Sequence, residues 1–456
     1  MKMLRLIRYI SAICIFIILL SFSTTTLAKR PTPPSPPPEP TPTPIGTTEL
    51  VSKASDGTQG NNQSYSPKIT PDGRYILFSS TASNLVTNDT NGKNDIFVHD
   101  HITGMTERVS LASNGSEGDN TSSNGSISAD GRYVAFTSSA SNLVAGEQTY
   151  FAQAYLRDRV NGITERISVA ADGSLADAPI YRTSISADGR YVAFDSPASN
   201  LVTNDTNGYS GDIFVYDRLS STIERISVAS DGSEANHRSA LPTISADGQT
   251  LAFLSSASNL VAGDTNNVMD IFVHNRVTGI TERVSVASDG TEANNWSGGP
   301  VISADGLVVT YTSTATNLVS GDTNNFNDTF VHDRKTGITE RVSVSNDGTQ
   351  GNDDSFSGSL SSDGRYVAFF SYANSLDMFG SFANWWYSDV FVYDRVTQTL
   401  EQISLTSDGL QASDDSSYPA ISADGRFVSF ESFASDLLLN DNGLYTNDIF
   451  LRDRNP

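Results

Sequence analysis

Short runs of β-branched, aromatic and small residues recur along most of the chain, and Gly, Asn and Asp separate them. In one copy the runs are TSIS (183–186), YVAFDS (191–196), DIFVYD (212–217) and IERISVAS (223–230). Apolar runs of this length, bounded by turn residues, predict strands rather than helices. Each copy of the pattern therefore predicts four short strands.

An Asp-Gly pair between the first and second runs marks the period of the pattern. A tight hairpin turn needs positive φ, which this dipeptide tolerates, so the pair predicts a hairpin. Seven copies at a nearly constant period indicate one repeated architecture rather than several domains. The Asp residues of these pairs are Asp72, Asp130, Asp188, Asp247, Asp305, Asp363 and Asp424, at steps of 58, 58, 59, 58, 58 and 61 residues.

A four-stranded sheet of such short strands buries its apolar faces only against neighbouring sheets, and a closed radial ring achieves this. The sequence therefore predicts an all-β fold, a seven-bladed β-propeller of four-stranded antiparallel blades, over residues 47–456. The chain ends on DIFLRDRNP, without a fourth strand for the last blade. We expect the N-terminal strand in TTELVSKA (47–54) to complete that blade and close the ring, since an unpaired edge would otherwise remain.

The phrase ISADGRYVAF…DIFVYDR…ERISVASDG resembles the WD40-like (PD40) repeats of bacterial TolB-type propellers. The resemblance covers residues 47–454. It implies a propeller fold and an exported bacterial protein used for binding or assembly. TolB itself has a separate N-terminal domain before its propeller, whereas only a proline-rich segment stands there in this chain, so the resemblance does not extend to a role in the Tol system.

Residues 1–28 have the pattern of a secretory signal peptide: basic residues, an apolar run over roughly 9–22, and the small-residue sequence TLA at the end. The alternative is an uncleaved anchor, but the apolar run is shorter than the ~20 residues that usually span a membrane. We therefore expect a periplasmic or extracellular protein with no membrane insertion after cleavage. The only cysteine, Cys14, lies in this run, so the mature chain would have no disulfide or thiolate chemistry.

Residues 29–46 are predicted to be a linker. Nine of the 17 prolines of the chain lie in its PTPPSPPPEPTPTP stretch, a composition that favours extended polyproline II. The formal net charge is −23, from 29 basic and 52 acidic residues. Such a surface repels nucleic acid phosphates and favours cation binding. No nucleic acid partner is therefore expected.

Two sets of connections are expected on one face of the propeller, those from second to third strands and those from each fourth strand to the next blade. We call this face the variable face, because these connections differ between copies whereas the hairpins opposite are uniform. Binding residues tend to lie on such loops.

Four connections from second to third strand share an Asp-x-Asn sequence followed by another Asp. Convergent carboxylate and carbonyl oxygens are what Ca²⁺ prefers, so structural calcium is the candidate cofactor. The alternative is that these side chains hydrogen-bond their own backbone in turns. The candidate metal ligands are Asp89, Asn91, Asp95, Asp205, Asn207, Asp212, Asp264, Asn266, Asp270, Asp322, Asn324 and Asp328.

The sixth blade has an aromatic connection, and further large side chains stand in the connections between blades. Aromatic loop residues can stack on sugars or anchor a protein partner, although a local mini-core would also use them. The candidates in the aromatic connection are Met378, Phe379, Phe382, Trp385, Trp386 and Tyr387. Those between blades are Tyr181, Arg182, His237, Arg238, Trp296, Phe356 and Tyr418.

No catalytic residues are assigned. His99, His274 and His332 share one repeat position, which indicates a structural role, and no nucleophile elbow, phosphate loop or His-Glu-x-x-His sequence is present. The preferred interpretation is a monomeric, exported, non-enzymatic propeller that binds an envelope or extracellular protein or glycan through the variable face. The alternative is an extracellular polysaccharide hydrolase or lyase that uses residues near the central channel, which would need a carboxylate pair or a His beside Arg182 or Arg238.

Overall fold

The alternating runs form 28 strands in the ranges that the structure, a computed structural model, describes. These ranges are residues 46–145, 150–376, 387–438 and 446–455, and they contain no helix. Within them no helical segment is therefore long and apolar enough to cross a membrane. The predicted signal peptide and nearly all of the predicted linker lie outside these ranges.

The strands group into seven sheets of four. The first three blades contain β2 (Ser64–Ile69), β3 (Tyr75–Ser80), β4 (Asp95–Asp100) and β5 (Met105–Arg108), then β6 (Ser122–Ile127), β7 (Tyr133–Ser138), β8 (Gln153–Asp158) and β9 (Ile163–Arg166), then β10 (Thr183–Ile185), β11 (Tyr191–Ser196), β12 (Asp212–Asp217) and β13 (Thr222–Arg225). The next two contain β14 (Ser239–Ile244), β15 (Thr250–Ser255), β16 (Asp270–Asn275) and β17 (Ile280–Arg283), then β18 (Ser297–Ile302), β19 (Val308–Ser313), β20 (Asp328–Asp333) and β21 (Ile338–Arg341). The sixth contains β22 (Ser355–Leu360), β23 (Tyr366–Ser371), β24 (Asp389–Asp394) and β25 (Thr399–Gln402), and the seventh β26 (Ser416–Ile421), β27 (Phe427–Ser432), β28 (Asp448–Asp453) and β1 (Thr47–Leu50).

The seventh blade joins the two ends of the described chain. Its strand order is β26-β27-β28-β1, whereas the other six blades follow the chain order. β1 pairs antiparallel with β28, from Thr47 opposite Asp453 to Leu50 opposite Phe450. The predicted seven-bladed propeller, closed by its N-terminal strand, is confirmed.

The fourth strand of each blade is shorter than the sequence pattern suggested. In the third blade IERISVAS was expected to be one strand, but β13 ends at Arg225. Ile226 still donates its N–H to the carbonyl of Ile213, at 2.7 Å, and its side chain is buried in the core. The chain then turns, and Val228 forms an isolated bridge with Glu234.

The apolar core lies between neighbouring blades. One cluster contains Leu77 and Val98 of the first blade with Val134 and Phe136 of the second. Within every blade an aromatic residue of the second strand stacks on one of the third, with ring centroids 5.6–6.1 Å apart. Because each sheet covers the apolar face of the next, the seven clusters form one ring of packing.

The Asp-Gly hairpins also join adjacent blades. Asp130 accepts hydrogen bonds from the Ser128 hydroxyl at 2.6 Å and the Arg132 amide at 2.9 Å, which fixes the turn. Gly131 has φ of 71°. A Cβ on Gly131 would lie 2.3 Å from the ring of Tyr75 in the preceding blade. Glycine is therefore required both by the turn and by the packing of Tyr75.

In six of the seven blades an arginine after the third strand contacts the blade before it. Arg159 donates from Nε to Glu107 at 2.6 Å and lies over the ring of Tyr75 at 4.7 Å. Similar pairs are Arg276 with Glu224, Arg334 with Glu282, Arg395 with Glu340 and Arg454 with Glu401. In the first blade His101 replaces the arginine, and its Nδ1 lies 3.0 Å from Glu49 of β1. The sequence alone indicated no partner for His101, whereas in the structure His101 contacts β1, the strand that closes the ring.

Candidate functional site at the axial mouth

The two sets of variable connections emerge on the same face. Ser64, at the start of β2, pairs with Ser80 at the end of β3, and Ser80 pairs with Asp95 at the start of β4. The first residues of the innermost strands therefore lie beside the ends of the second strands on the variable face. We call the opening that these residues form around the axis the axial mouth.

A bulge interrupts the innermost strand of most blades at this mouth. The pairing of β2 with β3 shifts register between Tyr65 and Lys68, and the same shift recurs in other blades. A bulge releases a residue from the ladder, bends the strand and re-aims its side chain, and bulges are common beside binding sites. The residues with positive φ at these bulges are Ser66, Asn124, Leu241, Gly299 and Tyr418.

Three aromatic rings form a continuous stack across the sixth and seventh blades, which we call the aromatic ledge. The rings of Phe356 and Phe370 are 5.1 Å apart, and those of Phe370 and Tyr418 are 5.3 Å apart. Tyr418 is 57% exposed, whereas Phe370 is buried beneath its neighbours. The ledge thus offers one exposed ring on a rigid aromatic base.

Four charged residues near the axis form what we call the charged cluster: Lys68, Arg182, Asp195 and Glu431. Glu431 is 7% exposed and accepts a hydrogen bond from the Ser66 amide at 2.7 Å. Burial raises the pKa of Glu431, and the charge of Lys68 opposes that shift. Lys68 is accessible to solvent yet surrounded by protein, and this enclosure, with repulsion from Arg182, lowers its pKa.

Asp195 is the most perturbed carboxyl of the cluster. It is 3% exposed, and its Oδ1 accepts no hydrogen bond from any described residue. Burial raises the pKa of Asp195 to about 6, and the positive charge of Arg182 opposes the shift. Its carboxyl therefore titrates close to neutral pH.

The ledge and the cluster adjoin each other in the seventh blade. Ser417 pairs with Glu431 between β26 and β27, and Tyr418 is the next residue. An exposed aromatic ring and a buried carboxylate therefore lie on neighbouring strand positions at the mouth.

The other predicted binding residues are more dispersed. His237 and Arg238 are exposed in the connection to the fourth blade, and Tyr181 is 46% exposed. Trp296 is half-buried and folds over Gly298, where a Cβ would lie 2.3 Å from the indole. Tyr387 is exposed, at 36%. Met378, Phe379, Phe382, Trp385 and Trp386 lie outside the described residues.

The predicted metal loops contain an arginine that sequence reasoning missed. In the first blade Arg108 Nη1 lies 3.3 Å from Asp89, 3.4 Å from Asp95 and 2.9 Å from Glu117. Asn91 forms a turn, because its Oδ1 accepts the Lys93 amide at 2.7 Å. Arg283 and Arg341 take the same place among Asp264, Asp270 and Glu292, and among Asp322, Asp328 and Gln350. Calcium binding at these three loops remains a prediction.

The loop of the third blade is arranged differently. Arg225 Nη1 is 2.5 Å from Glu234 but 3.9 Å from Asp205. One oxygen each of Asp205, Asp212 and Glu234 lie within 4.8 Å of one another. Among the described residues, this is the one group of at least three His, Cys, Asp or Glu side chains whose possible metal-binding atoms are that close together. The guanidinium therefore lies to one side of this acidic group.

No family model and no curated protein matches the sequence. Similar solved structures include an oligogalacturonate lyase from Vibrio parahaemolyticus, with TM-score 0.52 and 14% identity over 90% of this chain and 97% of that one. The β-propeller domain of the Trilobed protease from Pyrococcus furiosus has TM-score 0.51 and 12% identity, over 86% and 96%. TolB from Acinetobacter baumannii has TM-score 0.39 and 16% identity, over 74% and 62%. The likeness to the first two structures shows the β-propeller fold alone.

The propeller fold that the resemblance to PD40 repeats implied is thus confirmed. The Trilobed protease domain is described as having an open velcro topology. In the present propeller, by contrast, β1 pairs with β28 and closes the ring.

Part of the axial mouth was predictable from the sequence, and the rest was not. Phe356, Tyr418 and Arg182 were expected, whereas Phe370, Asp195 and Glu431 were not. The last two stand near the end of the second strand, where the first blade has Ser79. A carboxylate at this position, where the first repeat has a small serine, was the signal that could have identified Asp195 and Glu431.

Proposed function

We propose that the protein is an exported, non-enzymatic propeller that binds a glycan or protein partner at the cell envelope through its axial mouth. The aromatic ledge is the observation that supports this proposal most directly. An exposed Tyr418 ring on the buried Phe370 loses little conformational freedom on binding, and binding hot spots are enriched in such aromatic anchors.

The charged cluster favours a glycan over a protein surface. Ligand sites commonly combine an apolar or aromatic wall with a few convergent polar groups. At this mouth the Tyr418 ring can cover the apolar face of a sugar, while Lys68 and Arg182 can bind carboxylate or sulfate substituents. We therefore expect preference for a polysaccharide with isolated acidic substituents that reach these two cations, because the net charge of −23 repels a densely charged polyanion.

A glycan array and a pull-down from envelope extract test this function. Tyr418→Ala should weaken binding at least about ten-fold, which corresponds to the loss of one aromatic anchor. Trp385→Ala combined with Trp386→Ala tests the predicted aromatic connection separately. Tyr150→Ala is the matched control, because Tyr150 is a 91% exposed tyrosine elsewhere on the variable face. Binding unchanged by Tyr418→Ala would remove the ledge from the proposal.

A polysaccharide hydrolase or lyase is the second candidate, and Asp195 is the observation that favours it. A general acid or base works best with a pKa near the working pH, which the raised pKa of Asp195, about 6, provides beside Arg182. Panels of neutral and acidic polysaccharides, assayed for reducing ends and for unsaturated products, would reveal turnover. Turnover that Asp195→Asn abolishes would replace the binding function with an enzymatic one.

A further inference from the structure

The four Asp-x-Asn loops contain one exception, in the third blade. In the first, fourth and fifth blades a guanidinium Nη1 lies 3.3 Å from the first Asp and 3.3–3.5 Å from the last one. In the third blade the corresponding distance from Arg225 to Asp205 is 3.9 Å, although Arg225 keeps the contact with Glu234 that its equivalents make with Glu117 and Glu292. An internal cation thus occupies three of the loops and is displaced in the fourth.

The length of the loop accounts for the displacement. Asn207 and Asp212 are five residues apart, whereas Asn91 and Asp95 are four apart, as are the equivalent pairs of the fourth and fifth blades. The extra residue of NDTNGYSGD changes the turn. Asn91 Oδ1 accepts the amide two residues later, as its equivalents do. Asn207 Oδ1 is buried and accepts no hydrogen bond from any described residue.

Asp205, like Asn207, has a buried side-chain oxygen without a hydrogen-bond donor. Its side chain is 2% exposed, and its Oδ1 has no hydrogen-bond donor among the described residues. Asp322 Oδ1 in the fifth blade also lacks a donor, but a guanidinium nitrogen of Arg341 lies 3.3 Å from it. A buried oxygen of this kind costs free energy unless a donor or a cation satisfies it. Asp205 belongs to the group whose oxygens lie within 4.8 Å of one another.

We propose that the third blade binds one Ca²⁺ ion among Asp205, Asp212 and Glu234, with Asn207 Oδ1 as a further ligand. Ca²⁺ takes oxygen ligands at about 2.3–2.6 Å, so ligand oxygens around one ion are separated by up to roughly twice that length. The three carboxylates fall within this limit. Carboxylate and amide oxygens are also the donor types that Ca²⁺ prefers.

The electrostatics of the loop agree with this geometry. Burial, together with the negative charges of Asp212 and Glu234, raises the pKa of Asp205 to about 6, and Arg225 opposes these effects only in part. Burial also raises the pKa of Asp89 in the first blade, but there the opposing charge of Arg108 is the next largest influence. The acidic group of the third blade is therefore incompletely neutralised, and a divalent cation would supply the missing charge.

The ion would stabilise one side of the axial mouth. Glu234 precedes His237 and Arg238 in the connection to the fourth blade, and Asp205 lies in the loop that reaches Gly211. The Ser239 amide already donates to the carbonyl of Gly211 at 2.6 Å. A Ca²⁺ ion shared by the two segments would add a second link between them.

Isothermal titration of the chelator-treated mature chain with CaCl₂ tests this site, with MgCl₂ as a parallel titrant. We expect one Ca²⁺ per chain, and we expect Asp205→Asn to weaken its binding at least about ten-fold, because a charged ligand is lost. Asp264→Asn is the matched control: it changes the same loop position in the fourth blade, where Arg283 lies among the oxygens. Because Arg283 already pairs with the three acidic side chains of that loop, the present proposal places no ion there, and this control should leave the calcium affinity unchanged.

Thermal melting in calcium and in chelator gives a second readout. Calcium should raise the Tm of the wild type and of Asp264→Asn, but not that of Asp205→Asn. Glu234→Gln, which removes a more peripheral ligand, provides the same test if Asp205→Asn folds poorly. The proposal is overturned if the wild type binds no calcium, or if calcium binds with unchanged affinity to both Asp205→Asn and Glu234→Gln. It is also overturned if Asp264→Asn abolishes the binding.

Discussion

One repeat position is occupied by histidine in three blades and by tyrosine in two others. The residues that surround this position determine the protonation state of the histidines. His99, His274 and His332 each place Nδ1 2.8 Å from a threonine hydroxyl on the adjacent outer strand. Burial lowers the pKa of His274 to about 4, and nearby Arg276 adds to the shift. These histidines are therefore neutral at physiological pH and belong to the packing of their blades.

His274→Tyr should reduce the acid sensitivity of the fold. Because the pKa of His274 is about 4 in the folded chain and about 6.5 in an unfolded one, the unfolded state binds more protons between these values. Stability is therefore lost as the pH falls through this window, by about 2 kcal/mol at pH 5 for one histidine. Tyr216 stands at the same position in the third blade, so the substitution fits the fold.

Denaturant unfolding at pH 7 and pH 5 measures this effect as the difference between wild type and variant, so that other titrating groups cancel. The exposed His237→Tyr serves as the control and should follow the wild type. Equal losses of stability in His274→Tyr and wild type on acidification would contradict the prediction.

Two glycines with similar backbone conformations should respond differently to alanine. Gly131 and Gly115 have φ of 71° and 85°, but a Cβ would meet the Tyr75 ring only at Gly131 and nothing within 4 Å at Gly115. Gly115→Ala should cost about 1 kcal/mol of backbone strain. Gly131→Ala should cost about 1–3 kcal/mol more, because Tyr75 must move. Equal unfolding free energies for the two variants would exclude this role of Tyr75.

Whole elements were largely predictable because their signals are local and repeated. In the third blade YVAFDS and DIFVYD were predicted as strands with the bounds that β11 and β12 have. Each Asp-Gly pair specifies its own hairpin through short-range hydrogen bonds, so seven copies specify the ring. The outer strand β13 was predicted to be longer than it is. The apolar residues after it, such as Ile226, pack in the core between blades, and in sequence such a run cannot be distinguished from a continuing strand.

The contacts between elements were not predictable in the same way. Arg108 follows Asp95 by 13 residues and belongs to the repeated TER phrase of the outer strand, where its alternation suggested an ordinary strand residue. Only the pairing of β4 with β5 brings it to the Asp-x-Asn loop. Asp195 and Glu431 were missed for a similar reason, since their positions at the mouth depend on how the blades meet.

Removal of a loop arginine should therefore destabilise its blade strongly. Arg283→Gln leaves Asp264, Asp270 and Glu292 without their shared cation, and breaking a buried charge pair typically costs about 3 kcal/mol or more. The control is Arg74→Gln, because the Arg74 side chain is 42% exposed in its ion pair with Asp100 and its loss should cost less stability. Similar urea midpoints for the two variants would contradict the prediction.

The whole ring depends on contacts between residues at opposite ends of the sequence. Val51 is fully buried, and one core cluster contains it together with Ile449 and Leu451 of the last strand. His101 adds a polar contact to Glu49 on the same strand. Closure is thus part of the core as well as of the hydrogen-bond ladder, and the ring gains its last interface only when both ends have folded.

Deletion of residues 47–56 should therefore destabilise the entire propeller. It removes the ladder between β1 and β28, exposes the edge of β28, and takes Val51 out of the core. A loss of several kcal/mol should lower the Tm by about 5–10 °C or more for a chain of this size. Deletion of residues 29–44, in the predicted linker, is the matched control and should leave the Tm unchanged. If differential scanning calorimetry gave both deletions the Tm of the intact chain, the N-terminal strand would not stabilise the ring, and the seventh blade would be stable with three strands.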